Sequence, residues 1–112
     1  MYYFFMERIL KGIKDSRELH HGILTEREIE YLTLVALGCE NFEIAANLVV
    51  SRSTVKKTIE NIFRKLKAKN RTHAVSMAFS LGILTTQLLT DMKNSFKVDG
   101  WNLDDVFEEN EI

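Results

Sequence analysis

The fold of this chain is decided by residues 51–71, SRSTVKKTIENIFRKLKAKNR. Apolar residues recur there at steps of four, three and four positions, as Val55, Ile59, Ile62 and Leu66. On a helix that turns about 100° per residue, these positions lie within one narrow arc. The stretch therefore predicts one amphipathic helix over residues 51–71, with Ser51 as its N-cap and the apolar arc packed against a core.

The opposite face of this predicted helix is polar and mostly basic. Residues 51–71 contain eight Lys and Arg residues and one acid, Glu60, a local balance of +7 in a chain whose formal net charge is -1. A solvated face would explain the amphipathic pattern but not the one-sided sign, since ordinary surfaces mix both signs. The charge therefore favours nucleic-acid binding.

Composition limits the class of protein. The chain has 112 residues, of which 46% are hydrophobic, and this is enough for one compact core with extensions. Cys39 is the only cysteine, which excludes an internal disulfide and a cysteine metal cluster and fits the cytoplasm. No apolar stretch approaches the roughly 20 residues that cross a bilayer, so we expect a soluble protein without a membrane span.

Nothing in the sequence indicates catalysis. His20 and His21 are adjacent, His73 stands alone, and Cys39 has no partner at a recognisable spacing. Metal sites and activated nucleophiles bring several such groups together. We therefore expect no enzyme activity, no metal and no cofactor.

The first residues predict a separate amphipathic helix over residues 2–19, because their apolar side chains fall on one side. This helix either covers the chain's own core or forms a subunit interface, where aromatic residues and Met are enriched. A helix lying on a membrane surface is a third, lesser alternative. The interface residues would be Tyr2, Phe5, Met6 and Ile9.

A further helix is predicted over residues 26–37. Thr25 and Glu28 have the spacing of a capping box at its start, and Gly38 is suited to end it. Its predicted inner face consists of Ile29, Leu32, Thr33 and Ala36.

A short helix precedes the basic stretch. Asn41 is a good N-cap for it, it runs to about residue 48, and Val49 and Val50 then make a tight turn before Ser51. This order of short helix, turn and basic helix is a helix-turn-helix, in which the second helix enters the DNA major groove. The predicted inward residues of the short helix are Ile44, Ala45 and Leu48.

A fourth helix follows the basic stretch. Thr72 is its predicted cap, it runs through Leu81, and Gly82 ends it, with Ala74, Val75 and Ala78 on the inner face. Residues 85–96 predict one more short helix, and residues 98–112 contain six acids without a Lys or Arg. This tail is either solvated, or competes with DNA for the basic helix, or docks on a protein partner. The docking residues would be Trp101, Leu103, Val106 and Phe107.

Three blocks of the chain resemble the LuxR/GerE-type (FixJ/NarL-like) helix-turn-helix domain of bacterial transcription regulators. They are LTEREIEYLTLVALG at 24–38, NFEIAANLVVS at 41–51 and STVKKTIENIFRKLKAKNRTHAV at 53–75. The resemblance implies an all-α fold with a four-helix DNA-binding domain over residues 24–84. The amphipathic helix (residues 1–23) and the extension with its acidic tail (residues 85–112) would be additions to it.

The resemblance also implies which residues contact DNA. Lys56, Lys57 and Glu60 match the family's base-facing positions, and lysine donors and a carboxylate acceptor suit base edges. For Glu60, an ion pair with Lys56 or Arg64 one turn away is the alternative. Phosphate contacts are expected from polar residues and helix starts around this face. They are Asn41, Ser51, Arg52, Ser53, Thr54, Asn61, Lys65, Lys69 and Arg71.

The family's dimer contact is made through the fourth helix, which here implies Met77, with His73, Ser76 and Ser80 beside it. Three positions depart from the family pattern: Glu40, Phe42 and Thr58. Phe42 stands where lysine is frequent, and packing against the first helix would explain it.

Together these observations predict a sequence-specific regulator that binds double-stranded DNA as a homodimer on two half-sites. The 23 residues before Leu24 are too few for an attached sensor domain, so any input would come through partners such as RNA polymerase or another regulator. The alternatives are an architectural DNA binder and a protein-interaction adaptor that uses the same fold. Neither a catalytic nor a membrane function is expected.

Overall fold

The computed structural model describes residues 23–98, 100–101 and 106–108. Within these residues the fold consists of helices and turns without a strand, so the all-α prediction is confirmed. The helices are α1 (Glu26–Ala36), α2 (Asn41–Leu48), α3 (Arg52–Leu66), α4 (Arg71–Ser80) and α5 (Thr86–Ser95), with a helical turn at 106–108. The predicted helix over residues 2–19, with Tyr2, Phe5, Met6 and Ile9, lies outside the described residues.

Helix α1 begins and ends as predicted. The Thr25 hydroxyl accepts from the Glu28 N–H at 3.1 Å, and Glu28 Oε1 accepts from the Thr25 N–H at 2.8 Å, which completes the capping box. At the other end Gly38 has φ +91°, and the Cys39 N–H donates to the Leu34 carbonyl at 3.0 Å. This is the left-handed closure that glycine permits without strain.

Helix α1 is the centre of the fold, because α2, α3, α4 and α5 all pack against it. Its predicted inner face was therefore too narrow. Leu32 and Thr33 are buried as predicted, but Ile29 and Ala36 are only partly buried. Because other helices pack on several sides of α1, its buried arc is wider than a single contact surface. The arc also includes Tyr31, Leu34 and Val35.

The predicted cap of α2 was wrong by one residue. Glu40 is the N-cap, and its N–H donates to the Glu43 carboxylate at 2.9 Å. Asn41 is the first helical residue, and its side-chain oxygen accepts from Arg71 at 3.0 Å. The asparagine side chain therefore ties two helices together instead of capping its own. The predicted inward residues Ile44, Ala45 and Leu48 are all buried.

The prediction of a single helix over residues 51–71 was also wrong. Helix α3 ends at Leu66, Lys67 takes the left-handed conformation at φ +54°, and the Ala68 N–H closes the end on the Phe63 carbonyl at 2.9 Å. Asn70, not Thr72, then caps α4 by accepting from the His73 N–H at 2.9 Å. The break lets α4 fold back and bury Ala74 and Ala78 completely, while the third predicted inward residue, Val75, is half-buried.

The apolar arc of α3 is buried as predicted, with each of its four residues 6% exposed or less. They join α1 and α2 in one core, to which Met92 of α5 adds. A helix in the stretch 85–96 was predicted, and Thr85 caps it by accepting from the Leu88 N–H at 3.1 Å.

The chain after α5 returns across the helices that it has already formed. We call residues 96–98, 100 and 101 the C-terminal strap. Asn47 of α2 donates to the Lys97 carbonyl at 3.1 Å and accepts from the Lys97 N–H at 3.2 Å. The Trp101 indole N–H donates to the Leu37 carbonyl at the end of α1. The indole N–H of Trp101 therefore has its hydrogen-bond partner within the chain.

Beyond the strap, Val106 and Phe107 are 53% and 70% exposed. Leu103, which was predicted together with them and Trp101 as a docking residue, lies outside the described residues.

Candidate nucleic-acid interface

The turn between α2 and α3 sets the direction of the basic helix. Val49 ends α2 in the left-handed conformation at φ +56°, and Ser51 caps α3 by accepting from the Thr54 N–H at 3.1 Å. The Ser51 hydroxyl oxygen also lies 3.0 Å from that of Ser53 and 2.9 Å from that of Thr54. The predicted cap is confirmed, and a row of hydroxyls lies at the start of α3.

The predicted base-contacting residues lie together on the outer face of α3. Lys56, Lys57 and Glu60 are all exposed, and Glu60 lies about one helical turn after the two lysines. Within the described part of the chain Glu60 forms no ion pair with Lys56 or Arg64. Arg64 instead donates to the Asn61 side-chain oxygen at 2.6 and 3.2 Å. The Glu60 carboxylate is thus open to an external donor.

The predicted phosphate contacts divide into two groups. Ser51, Arg52, Ser53, Thr54 and Lys69 are exposed around the start and end of α3. The others, Asn41, Asn61, Lys65 and Arg71, are partly buried and bonded within the chain.

Asn61 and Lys65 hold a buried carboxylate. Lys65 Nζ donates to Glu28 Oε1 at 2.7 Å, and Asn61 Nδ2 donates to Glu28 Oε2 at 3.1 Å. Glu28 is only 6% exposed. Burial by itself would raise the pKa of Glu28, but the bonds from Lys65 and Thr25 outweigh it and lower the pKa below its ordinary value. These contacts attach the C-terminal half of α3 to the start of α1.

The Glu28 contacts were missed by sequence reasoning, which gave Glu28 only its capping role. Asn61 and Lys65 lie 33 and 37 positions further along the chain. Local periodicity carries no information on pairs this far apart. The available signal was that Asn61 and Lys65 border the buried arc of α3, where a polar side chain needs a partner.

Arg71 makes a similar internal link at the start of α4. Its guanidinium donates to Asn41 Oδ1 at 3.0 Å and to the Cys39 carbonyl at 2.8 Å. Arg71 therefore joins α4 to the segment that opens α2.

Phe42 lies on the surface beside the start of α3. It is 53% exposed, and the Arg52 guanidinium carbon lies 5.6 Å from its ring centroid, within the range of a cation–π contact. Sequence reasoning placed Arg52 among the phosphate contacts but did not connect it with Phe42. The two residues are ten positions apart and belong to different helices, so local periodicity does not connect them.

The predicted dimer residues of α4 lie on one side of that helix. Met77 is half-buried, Ser76 and Ser80 are exposed, and His73 Nδ1 accepts from the Lys69 N–H at 3.0 Å. Phe79 is 40% exposed, but it lies about 200° around the helix from Met77 and therefore on a different side.

The described residues offer no other kind of site at this surface. They contain no cluster of three or more His, Cys, Asp or Glu that could hold a metal ion. None of their helices is long and apolar enough to span a membrane.

The comparisons with known proteins concern this same region. The family described as "Bacterial regulatory proteins, luxR family" matches residues 22–78. The CsgBAC operon transcriptional regulatory protein of Escherichia coli is 48% identical over 57 residues, which are 51% of this chain and 26% of that protein. No solved structure matches the chain.

Two further relatives are regulators from other bacteria. The transcriptional regulatory protein LnrK of Bacillus subtilis is 38% identical over 78 residues, 69% of this chain and 36% of the relative. The response regulator protein VraR of Staphylococcus aureus is 42% identical over 72 residues, 64% of this chain and 34% of the relative. The chain thus spans between 26% and 36% of the length of these relatives.

Proposed function

This chain belongs to the luxR family of bacterial regulatory proteins, and from that premise we propose that it regulates transcription by binding double-stranded DNA as a homodimer. The match confirms the resemblance to LuxR/GerE-type regulators. It also agrees with the expectation of a protein that is not an enzyme, because the family is one of regulators. The names of the relatives, two of them transcriptional regulatory proteins, support the same function.

One observation carries the proposal: the exposed outer face of α3 is polar and basic, while its inner face is held in the core. A helix presented in this way fits the major groove, where lysine donates to guanine and glutamate accepts from cytosine. Lys56, Lys57 and Glu60 are the base-contacting residues of the proposal. A protein-docking helix would expose apolar side chains on that face, so the outer face does not favour an interaction adaptor.

The phosphate contacts of the proposal are those with exposed side chains. Arg52, Ser53, Thr54 and Lys69 flank the base-contacting face, and the amides after Ser51 add helix-start donors. Lys65, Asn61 and Arg71 instead maintain the position of α3 and α4. For the dimer, the proposal keeps Met77, with His73, Ser76 and Ser80 beside it.

The proposal is tested by selecting bound duplexes from a random pool and titrating variants against them. Lys57→Ala is expected to lose about 1 to 3 kcal/mol of binding free energy and to accept more sequences, because a base-edge donor is removed. The matched variant Lys69→Ala removes a predicted phosphate contact. It should weaken selected and unselected duplexes alike.

Two results would contradict the proposal. Salt-independent binding, or none, would show that the basic face does not meet phosphates. If Lys57→Ala retained both affinity and sequence preference, α3 would not read bases through this residue.

A further inference from the structure

Two arginines of the described residues lie over aromatic rings, and they differ in what their N–H groups contact. The Arg27 guanidinium lies 5.7 Å from the Tyr31 ring centroid, and its N–H groups donate to Glu30 at 3.2 Å and to the Leu48 carbonyl at 3.1 Å. The Arg52 guanidinium lies 5.6 Å from the Phe42 ring centroid. Among the described residues, Arg52 donates to no acceptor and forms no ion pair.

A guanidinium that lies over a ring and has no acceptor for its N–H groups is suited to bind an anion. A ring face attracts the guanidinium charge but does not take up its five N–H donors in conventional hydrogen bonds. The contact with Phe42 therefore leaves the N–H donors of Arg52 available, and a guanidinium can bind a phosphate with two of them at once. The ring also restricts a side chain that otherwise loses much rotamer freedom when it binds.

The position of the pair relates it to the proposed DNA face. Phe42 lies in the first turn of α2 and Arg52 is the first residue of α3, so the pair bridges the two helix starts. Arg52 lies one helical turn before Lys56, on the same side of α3. The hydroxyls of Ser53 and Thr54 lie beside it, and both side chains are exposed.

We propose that Phe42 and Arg52 form a preordered phosphate clamp, in which the ring holds the guanidinium with its bidentate edge toward the DNA backbone. Phe42 is then a positioning residue: it carries no charge and acts through Arg52. This inference rests on the proposed DNA-binding function. It adds to that function a residue of α2 whose side chain binds no phosphate itself but positions the arginine that does.

The test is a double-mutant cycle on a labelled duplex of mixed sequence, about three helical turns long, since phosphate contacts are independent of sequence. Affinity is measured between about 50 and 200 mM salt. Phe42→Leu is expected to weaken binding about two- to fivefold, the equivalent of an exposed cation–π contact. Phe42→Tyr, which keeps the ring, should restore the affinity of the unmodified chain.

Arg52 variants separate positioning from packing. Arg52→Ala should reduce the slope of log affinity against log salt by about one, and Phe42→Leu should have no further effect in that background. Arg27→Ala is the matched control, because Arg27 also lies over a ring but its N–H groups bond within the chain. This substitution should leave the salt slope unchanged. Thermal unfolding of Phe42→Leu should match the unmodified chain.

The outcomes distinguish this inference from the function on which it rests. If the unmodified chain showed no salt-dependent binding, the proposed function and the clamp would both be wrong. If the chain bound DNA but the effects of Phe42→Leu and Arg52→Ala were additive, or Phe42→Tyr were as weak as Phe42→Leu, only the clamp would be wrong.

Discussion

Glu28 is the residue that connects the start of α1 with the C-terminal half of α3. Its carboxylate accepts from the Thr25 N–H, from Asn61 and from Lys65. A buried carboxylate is tolerated only when donors replace its water, and here three do so. The outward direction of the basic helix therefore depends on an acid that is 6% exposed.

We expect Glu28→Gln to lower the free energy of unfolding by about 1 to 3 kcal/mol. Glutamine keeps the capping geometry, but it removes the charge that pairs with Lys65. Denaturant unfolding measures the difference. Glu30→Gln is the control, because its ion pair with Arg27 is exposed and should contribute under about 1 kcal/mol. Equal effects of the two substitutions would contradict the role of Glu28.

Glu28 should also give the chain an acid-dependent stability. Its pKa in the folded chain is below the ordinary value of 4.5, so the folded state favours the ionised form. That stabilisation is complete above pH 4.5 and is lost as the pH falls through the folded-state pKa. Unfolding free energies measured over this range should fall less steeply for Glu28→Gln. Parallel curves for the two chains would contradict this account.

At the scale of elements, the two turns that border α3 both contain a left-handed residue other than glycine. Val49 precedes the helix at φ +56° and Lys67 follows it at φ +54°. A β-branched residue is unfavourable there, because its Cβ substituents crowd the backbone. Val49 is 88% exposed, so packing does not compensate.

We expect Val49→Asn to raise the free energy of unfolding by about 0.5 to 1 kcal/mol, because asparagine tolerates this conformation. Thermal unfolding would measure the gain. The neighbour Val50 is half-buried and has no positive φ, so Val50→Asn should instead lower the stability. A loss of stability in Val49→Asn would show that the valine contributes packing in the turn.

The elements themselves were largely predictable, and the exceptions have physical reasons. Thr25 and Ser51 were identified because hydroxyl caps have a short-range signature. The end of α3 at Leu66 was missed because Lys67, Ala68 and Lys69 are good helix formers, so these three residues favour continuation. The break arises from the burial of α4, which is a tertiary effect.

At the scale of the whole molecule, contacts between distant segments were not predictable. The apolar arc of α3 indicated a core, and the charge of its other face indicated the candidate site. The sequence could not show which Lys and Arg side chains are free to face solvent. Lys65 donates to Glu28, 37 positions away, and Arg71 donates to the Cys39 carbonyl, 32 positions away. Hydrophobic periodicity predicts the buried face of a single helix and carries no information on contacts between helices.

We expect the C-terminal strap to contribute to the stability of the helices that it crosses. A chain ending after residue 95 loses the bonds of Lys97 to Asn47 and of Trp101 to Leu37. It should unfold with a free energy about 1 to 3 kcal/mol lower than that of the full chain. A chain ending after residue 101 retains these bonds and serves as the control. Equal stability of both shortened chains would show that the strap contributes nothing.

The strap also gives the chain an intrinsic optical reporter. Trp101 is its only tryptophan, and the indole is half-buried and bonded to a carbonyl 64 positions earlier in the chain. Indole emission shifts to longer wavelength when the ring enters water, so detachment of this contact should be visible without a label. In stopped-flow refolding, the emission would time the docking of the strap on the end of α1.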